Sequence, residues 1–209
     1  MHNKKVAIID YGAGNTGSIF NAVNYLGYEA IFISKPENAK NYSHIVLPGV
    51  GNFGKLAKNL ENKNWEYFIR DLIKNGHKLF GICVGMQLLF ESSEEAPNIK
   101  GLGIFKGCLN NFKSINNKFK LPVPHIGFNL VEHKNTNIWK GIKNKSPFYF
   151  VHSYKINTTD DDVVVAKTTY ENEFISFVEK ENVFGSQFHP EKSNLTGLKL
   201  IKNFLDLKT

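Results

Sequence analysis

The amino-acid sequence predicts an α/β fold with an open, mostly parallel β-sheet, helices on both faces and an antiparallel extension in the second half. Up to about residue 90, short apolar runs bounded by turn residues alternate with segments of helical periodicity. Beyond Leu102 the apolar runs shorten and are separated by Asn, Gly, Pro and Asp, which is typical of antiparallel strands. The 209 residues carry no internal repeat, low-complexity segment or linker, so a single domain over residues 1–209 is expected.

The first half is predicted to contain four buried strands joined by helices. The apolar residues between Ile19 and Leu26 lie at helical spacing, and Gly27 suits the end of that helix. Strands alternating with helices in this way imply a parallel sheet with right-handed crossovers. The predicted strands cover residues 6–10, 28–33, 44–47 and 78–82, and the predicted helices cover residues 19–26, 56–60, 65–73 and 86–90.

The second half is predicted to add antiparallel strands on the edge of this sheet, followed by a closing helix. The strands are expected at residues 148–151, 163–166, 174–178 and 183–185, and the helix at residues 195–207.

Composition and charge exclude several classes of protein. Every apolar run is far shorter than the roughly 18 residues of a membrane helix, and the run after Lys5 lacks the features of a signal peptide. We therefore expect a cytoplasmic location. The formal charge of +7 comes from scattered lysines, which fit a solvated surface or a face for an acidic or phosphorylated ligand better than a nucleic-acid site. Two cysteines indicate a structural or catalytic thiol and no disulfide framework.

Cys83 is the candidate nucleophile. It stands in Gly81-Ile82-Cys83-Val84-Gly85, between a predicted strand and a predicted helix. Glycines two residues before and after a nucleophile permit the tight turn called the nucleophile elbow, and a helix N-terminus stabilises a thiolate. The alternative is a buried structural cysteine, which the flanking glycines make less attractive.

His189 is the candidate base among seven histidines. It lies in Gln187-Phe188-His189-Pro190-Glu191, and Glu191 can orient its imidazole. The alternative is a histidine that only packs. Acyl transfer also needs an oxyanion hole, for which the turn Pro48-Gly49-Val50-Gly51 and the backbone N–H of Val84 are the candidates.

These three motifs together resemble those of the class I (triad) glutamine amidotransferases, and the resemblance extends over nearly the whole chain. The resemblance implies a triad of Cys83, His189 and Glu191, with no cofactor and no metal. It also implies that Gly49, Val50, Gly51 and Val84 form the oxyanion hole. Glutamine binding is expected from Gln87, Glu94 or Glu95, and the strand His152-Ser153-Tyr154, although for Glu94 and Glu95 a solvated acidic turn is an equal alternative.

Within that family the chain is similar to the glutaminase subunits of imidazole glycerol phosphate synthases. The similarity rests on residues 10–15, 124–129, 150–154 and 189–193. It implies a heterodimer in which a (β/α)8 cyclase subunit receives the ammonia in histidine biosynthesis, with Asn15, Phe128 and Lys192 at the interface.

Four residues depart from that pattern, namely Thr16, Gly17, Phe128 and Asn194. Thr16-Gly17 stands where an Arg is usual, and its loss removes a bidentate donor from the expected interface. A paralogue that supplies ammonia to a sugar-amidinating enzyme of surface polysaccharide biosynthesis is therefore an alternative. A non-catalytic docking module and a cysteine hydrolase of another substrate are more distant alternatives.

Three other motifs carry little weight. The glycines of residues 12–17 lack the Gly-Lys-Ser/Thr ending of a phosphate loop. His125 and His133 have no Cys or carboxylate at zinc-ligand spacing, and Asp160-Asp161-Asp162 is better explained as a solvated turn than as a calcium site.

Overall fold

The computed structural model describes residues 4–14, 16–114 and 119–208. The strands of this part of the chain are β1 (Lys5–Ile9), β2 (Glu29–Ile33), β3 (His44–Leu47), β4 (Lys78–Ile82), β5 (Ser92–Ser93), β6 (Cys108–Asn111), β7 (His125–Val131), β8 (Ser146–His152), β9 (Tyr154–Lys155), β10 (Val164–Tyr170), β11 (Asn172–Lys180) and β12 (Val183–Ser186). Its helices are α1 (Thr16–Tyr25), α2 (Phe53–Asn62), α3 (Trp65–Lys74), α4 (Val84–Gln87) and α5 (Asn194–Asp206). None of these helices has the length and apolar character that a membrane span requires.

The central sheet has seven strands in the order β10-β11-β12-β4-β3-β1-β2. Neighbouring strands from β12 to β2 are parallel, whereas β10, β11 and β12 pair antiparallel. Residues 6–9 of β1 and all of β3 are buried, so helices and loops cover both faces of the sheet. The predicted α/β class with an antiparallel extension is confirmed.

Two predicted placements in the second half are wrong. Strand β12 lies inside the sheet, paired parallel with β4, and not on its edge. Its four residues are all buried, because neighbouring strands flank it on both sides. Strand β8 does not join the central sheet but forms a separate antiparallel hairpin with β7.

The helix after Cys83 is also shorter than predicted. Helix α4 ends at Gln87, whereas the prediction placed a helix at residues 86–90. Leu88, Leu89 and Phe90 are fully buried and supplied the apolar pattern, but they enter an irregular segment that leads to β5. Backbone hydrogen bonds from residues 102–105 reach back to this segment, so tertiary pairing replaces helix continuation.

Parallel pairing brings the carboxyl ends of four adjacent strands to one edge of the sheet. Strands β12, β4, β3 and β1 are followed there by Gln187, Cys83, Pro48 and Asp10, respectively. Open α/β sheets bind ligands in the crevice beyond the carboxyl ends of their strands. The topology therefore assembles the sequence-predicted motifs at a single edge.

Candidate active site

Cys83 occupies a sharp, strained turn between β4 and α4. Its backbone has φ 55° and ψ −113°, a conformation that a non-glycine residue adopts only when its surroundings impose it. The Cys83 N–H donates to the Ser186 carbonyl oxygen at 2.7 Å, which ties the turn to the end of β12. The geometry is that of a nucleophile elbow, as the flanking glycines predict.

Glycine at position 85 is required because two backbones touch there. A Cβ on Gly85 would lie 2.0 Å from the Leu47 carbonyl oxygen, and one on Gly49 would lie 2.3 Å from the Gly85 nitrogen. The segment after β3 can thus lie directly against the N-terminus of α4. This contact brings the predicted oxyanion segment alongside Cys83.

His189 and Glu191 form a buried pair beside the elbow. The His189 Nδ1–H donates to Glu191 Oε1 at 2.7 Å, and the two side chains are only 1% and 3% exposed. The His189 Nε2, on the other side of the ring, makes no hydrogen bond of ordinary length with the described residues. Burial lowers the pKa of His189, but interactions with Cys83 and Glu191 outweigh it and raise the pKa to about 10. The site thus favours the charged imidazolium form of His189 beside Cys83.

The backbone of His189 is held by β8 and by Ser193. The His189 N–H donates to the Tyr149 carbonyl oxygen at 2.8 Å. The buried Ser193 hydroxyl donates to the His189 carbonyl oxygen at 2.6 Å and accepts from the Tyr149 N–H at 2.9 Å. One hydroxyl group therefore joins the His189–Glu191 turn to β8. Sequence reasoning did not single out Ser193 for this role.

A cavity of about 250 Å³ brings most of the predicted site residues together. Cys83 and His189 line it, and so do residues from the oxyanion segment, α4 and the β8–β9 connection. The other lining residues are Val50, Gly51, Val84, Gln87, Glu95, Pro124, Val151, His152, Ser153 and Tyr154.

The oxyanion hole does not have its predicted arrangement. The Val84 N–H donates to the Gly49 carbonyl oxygen at 3.2 Å, so it is not free for a ligand. The N–H of Gly51, whose φ is 140°, lies in the cavity wall and makes no hydrogen bond with the described residues. Of the two predicted donors, only Gly51 is thus free.

The loop after β1 supports this oxyanion segment from behind. The buried Tyr11 hydroxyl donates to the Pro48 carbonyl oxygen at 2.6 Å, and the Gly14 N–H donates to the Val50 carbonyl oxygen at 3.2 Å. Burial, with a contribution from Cys83, raises the pKa of Tyr11, which keeps the hydroxyl a donor. The sequence indicated a turn here but gave no sign of these contacts.

The two candidate carboxylates, Glu94 and Glu95, point to different places. The Glu94 carboxylate accepts hydrogen bonds from the Asn110 side chain at 3.0 Å and the Asn111 N–H at 2.8 Å. It does not line the cavity, so its predicted role in glutamine binding is wrong. Glu95 lines the cavity and accepts from the Phe53 N–H at 2.6 Å, at the start of α2.

His152 is fixed by a chain of hydrogen bonds. Its Nδ1–H donates to the Tyr154 carbonyl oxygen at 2.8 Å, so its Nε2 accepts from His125 Nδ1–H at 3.0 Å. Burial lowers the pKa of His125 to about 4 and that of His152 to about 3, so both rings are neutral at pH 7. The wall formed by residues 152–154 is thereby held in place.

Two of the three predicted interface residues are described by the structure, and both are exposed. Phe128 is 53% exposed on β7, between the exposed Ile126 and Leu130, and Lys192 is exposed after Glu191. Asn15 lies outside the described residues. An apolar strip of this kind is typical of a protein–protein contact.

Comparisons with known proteins identify the family of this chain. The family model for glutamine amidotransferase class-I matches residues 7–207. The chain therefore belongs to the class I glutamine amidotransferase family. A solved glutamine amidotransferase superposes with a TM-score of 0.74 at 21% identity, covering 96% of this chain and 97% of that one. The structure of PurLQS from Thermotoga maritima superposes with a TM-score of 0.74 at 20% identity, covering 98% of each chain.

Curated relatives narrow the assignment. The chain is 46% identical to the imidazole glycerol phosphate synthase subunit HisH of Methanocaldococcus jannaschii, over 97% of this chain and 99% of that protein. It is 45% identical to the subunit of the same name from Pyrococcus furiosus, over 96% and 97%, and 42% identical to that of Helicobacter hepaticus, over 99% and 100%. Within its class, the chain is a member of the glutaminase subunits of imidazole glycerol phosphate synthase.

Buried histidines predict how stability depends on pH. Desolvation lowers the pKa of His44 to about 4, with help from Lys4 and Lys78, as it does for His125 and His152. The folded state then binds fewer protons than the unfolded state. The stability that these neutral histidines provide is therefore complete above about pH 6.5 and is lost as the pH falls towards 4. We expect the melting temperature to drop across that range. His44→Gln should reduce this decrease in melting temperature. A constant melting temperature of the wild-type protein from pH 7 to 4.5 would contradict this explanation.

Proposed function

We propose that this chain hydrolyses glutamine to glutamate and ammonia and passes the ammonia to a (β/α)8 cyclase subunit that completes an imidazole glycerol phosphate synthase in histidine biosynthesis. The observation that carries the proposal is the cavity that the strained Cys83 shares with His189, whose imidazole is hydrogen-bonded to Glu191. The relatives named HisH support a role in histidine biosynthesis over supply of ammonia to a sugar-amidinating partner.

We also propose that residues 1–209 form one domain. This domain works in the reducing cytoplasm, where free cysteines such as Cys83 and Cys108 persist.

The proposed chemistry begins from the ion pair in which His189 Nε2 carries the proton of the Cys83 thiol. The thiolate then attacks the side-chain carbonyl carbon of glutamine, and a tetrahedral oxyanion forms. The His189 imidazolium, stabilised by Glu191, returns its proton to the leaving nitrogen, and ammonia departs as the carbonyl re-forms. Water, deprotonated by His189, attacks the resulting thioester and releases glutamate and the Cys83 thiol.

Stabilisation of the oxyanion is assigned to the segment after β3. The Gly51 N–H is already free in the cavity wall. The Val84 N–H can contribute only after its hydrogen bond to the Gly49 carbonyl oxygen breaks, which requires the peptide after Gly49 to rotate. Loss of one oxyanion donor typically lowers the rate about 100- to 1,000-fold. A Val84 N–H that is blocked by this hydrogen bond is therefore sufficient to keep the activity of the isolated subunit low.

The substrate's polar ends have candidate partners in the cavity wall. We assign the α-ammonium group of glutamine to the Glu95 carboxylate, one oxygen of which is held by the Phe53 N–H. Gln87 and the backbone of residues 152–154 line the remaining wall and are assigned to the α-carboxylate and the side-chain amide. Phe128, Lys192 and Asn15 are assigned to the contact with the cyclase subunit.

Ser193 is expected to affect the rate through His189. Ser193→Ala should lower kcat for glutamate release about fivefold, because a hydrogen bond worth about 1 kcal/mol then no longer fixes the His189 backbone. The KM for glutamine should stay nearly constant. Ser176→Ala removes another buried hydroxyl, bonded to Thr168, and serves as the matched control. Equal kcat values for the two variants would show that Ser193 has no positioning role.

The proposed function is tested by measuring glutamate release from glutamine. The purified chain is assayed alone, then with the cyclase subunit from the same organism, and then with that subunit and its ribonucleotide ligand. Strong stimulation by the cyclase supports the proposal. An active chain that the cyclase leaves unchanged would exclude this partner, and no release under any condition would exclude the reaction.

A further inference from the structure

A second glutamine, Gln187, contacts the sulfur of Cys83. It follows the last residue of β12, and its N–H donates to the Ser176 carbonyl oxygen at 2.9 Å, so its backbone position is fixed. The Gln187 Nε2 lies 3.8 Å from Cys83 Sγ, within hydrogen-bonding distance for sulfur. The side chain is 2% exposed and so cannot exchange this contact for water.

The amide of Gln187 is held at both ends. Its Oε1 accepts from Gln87 Nε2 at 3.0 Å, and Gln87 is also buried. With Gln87 as donor, the Nε2 of Gln187 is the end left to face the sulfur. Rotating the Gln187 amide by half a turn would oppose two NH₂ groups and would bring a carbonyl oxygen against a negatively charged sulfur.

Apart from the His189 imidazolium, other sources of stabilisation for a thiolate are weak at this turn. Helix α4 has four residues, too short for a helix dipole of useful size. The Val84 N–H, next along the chain, donates to the Gly49 carbonyl oxygen. Apart from the side chains of Gln187 and His189, the polar atom within hydrogen-bonding distance of Sγ in the described chain is the Val151 carbonyl oxygen at 4.0 Å, which can only accept.

We propose that Gln187 is a further catalytic residue, whose side-chain N–H stabilises the Cys83 thiolate while Gln87 fixes the orientation of the Gln187 amide. The inference rests on the proposed role of Cys83 as nucleophile. No proton passes through Gln187. The thiol proton goes to His189, the negative charge stays on sulfur facing the Gln187 N–H, and it moves to the substrate oxygen when the sulfur–carbon bond forms.

The test is the rate at which iodoacetamide alkylates Cys83 between pH 5 and pH 9, because only the thiolate reacts. The Cys83 peptide is quantified by mass spectrometry, so that alkylation of the exposed Cys108 does not contribute. Gln187→Met keeps the length of the side chain and removes the donor. Gln187→Glu keeps its shape and places a carboxylate beside the sulfur. Thr168→Val removes a buried hydroxyl two strands away and is the control.

We expect Gln187→Met to slow alkylation at pH 7 about tenfold and to shift the pH dependence of the alkylation rate to higher pH, because the thiolate loses one N–H donor. Gln187→Glu should slow it further, and Thr168→Val should match the wild type. His189 and Tyr11, the titratable groups that act on Cys83, are unchanged in all variants. If the Met variant does not fold, Gln87→Met tests the same orientation and should slow alkylation about threefold.

A folded Gln187→Met protein with the wild-type alkylation profile would overturn the inference. Failure of the proposed function gives a different result. In that case the wild-type chain releases no glutamate with its partner, yet the Gln187 variants still shift the alkylation profile. A residue with only a structural role would lower the melting temperature and leave the profile of the folded protein unchanged.

Discussion

Replacement of Cys83 by serine is expected to lower glutamate release at least about a thousandfold, even with the partner subunit present. A serine hydroxyl is a far weaker acid than a thiol, so it gives up its proton to His189 far less readily and is a much poorer nucleophile at this site. The variant should keep its fold, because sulfur and oxygen differ little in size and the strained backbone is set by Gly81 and Gly85 around it.

The control for this variant is Cys108→Ser. Cys108 is exposed at the start of β6, and its Sγ donates to the Leu109 carbonyl oxygen at 3.7 Å, outside the cavity that Cys83 lines, so its replacement should leave the rate unchanged. Binding of glutamine to Cys83→Ser, measured by calorimetry, should persist and separate loss of chemistry from loss of the site. A Cys83→Ser protein that releases glutamate at the wild-type rate would rule out the covalent route.

Gly85→Ala is expected to cause a large loss of stability. Its Cβ would lie 2.0 Å from the Leu47 carbonyl oxygen and 3.2 Å from the Pro48 carbonyl carbon, both backbone atoms that cannot turn aside. Separating α4 from the segment after β3 should cost about 3 kcal/mol or more and should also abolish activity. Urea denaturation measures the first effect, and glutamate release from the folded fraction measures the second.

Gly17→Ala is the matched control for Gly85→Ala. Gly17 lies in α1, and a Cβ there would have no neighbour within 4 Å. Alanine should therefore stabilise the helix by up to about 1 kcal/mol. If Gly85→Ala proved as stable as Gly17→Ala, the close contact between the two segments could not be what positions Cys83.

Much of the central sheet is predictable because buried parallel strands are continuous apolar runs. Strands β1 and β3 are of this kind. Strand β7 was missed because its apolar residues Ile126, Phe128 and Leu130 are exposed, so the apolar pattern that usually indicates a core lies on the surface here. Strand β12 was misplaced because periodicity does not reveal which neighbour a strand pairs with.

The candidate site is likewise predictable from the sequence only in part. Cys83, His189 and Glu191 are distinguished by chemically demanding spacing, so local sequence was sufficient to propose them. Adjacent residues such as Glu94 and Glu95 could not be separated, because only the tertiary turn decides which of them faces the cavity. Hydrogen bonds across the fold, such as that between Gln187 and Cys83, leave no local pattern in the sequence.

The orientation of the peptide after Gly49 is a further feature that sequence alone does not give. Glycine at this position is explained by close contact with Gly85, and glycine also permits more than one backbone conformation. In this structure the Gly49 carbonyl oxygen accepts from the Val84 N–H. Residue identity therefore predicts where an oxyanion hole can form, whereas the structure shows which of its donors are free.

The most direct test of the account is to look for the glutamyl thioester on Cys83. The assembled enzyme, with its ribonucleotide ligand, is mixed with glutamine, quenched in acid during turnover, digested and analysed by mass spectrometry. We predict a glutamyl adduct on the peptide that contains Cys83, absent without glutamine and absent from Cys83→Ser. Steady glutamate release by the wild-type enzyme with no adduct on that peptide, together with an undiminished rate for Cys83→Ser, would contradict the proposal that Cys83 is the nucleophile.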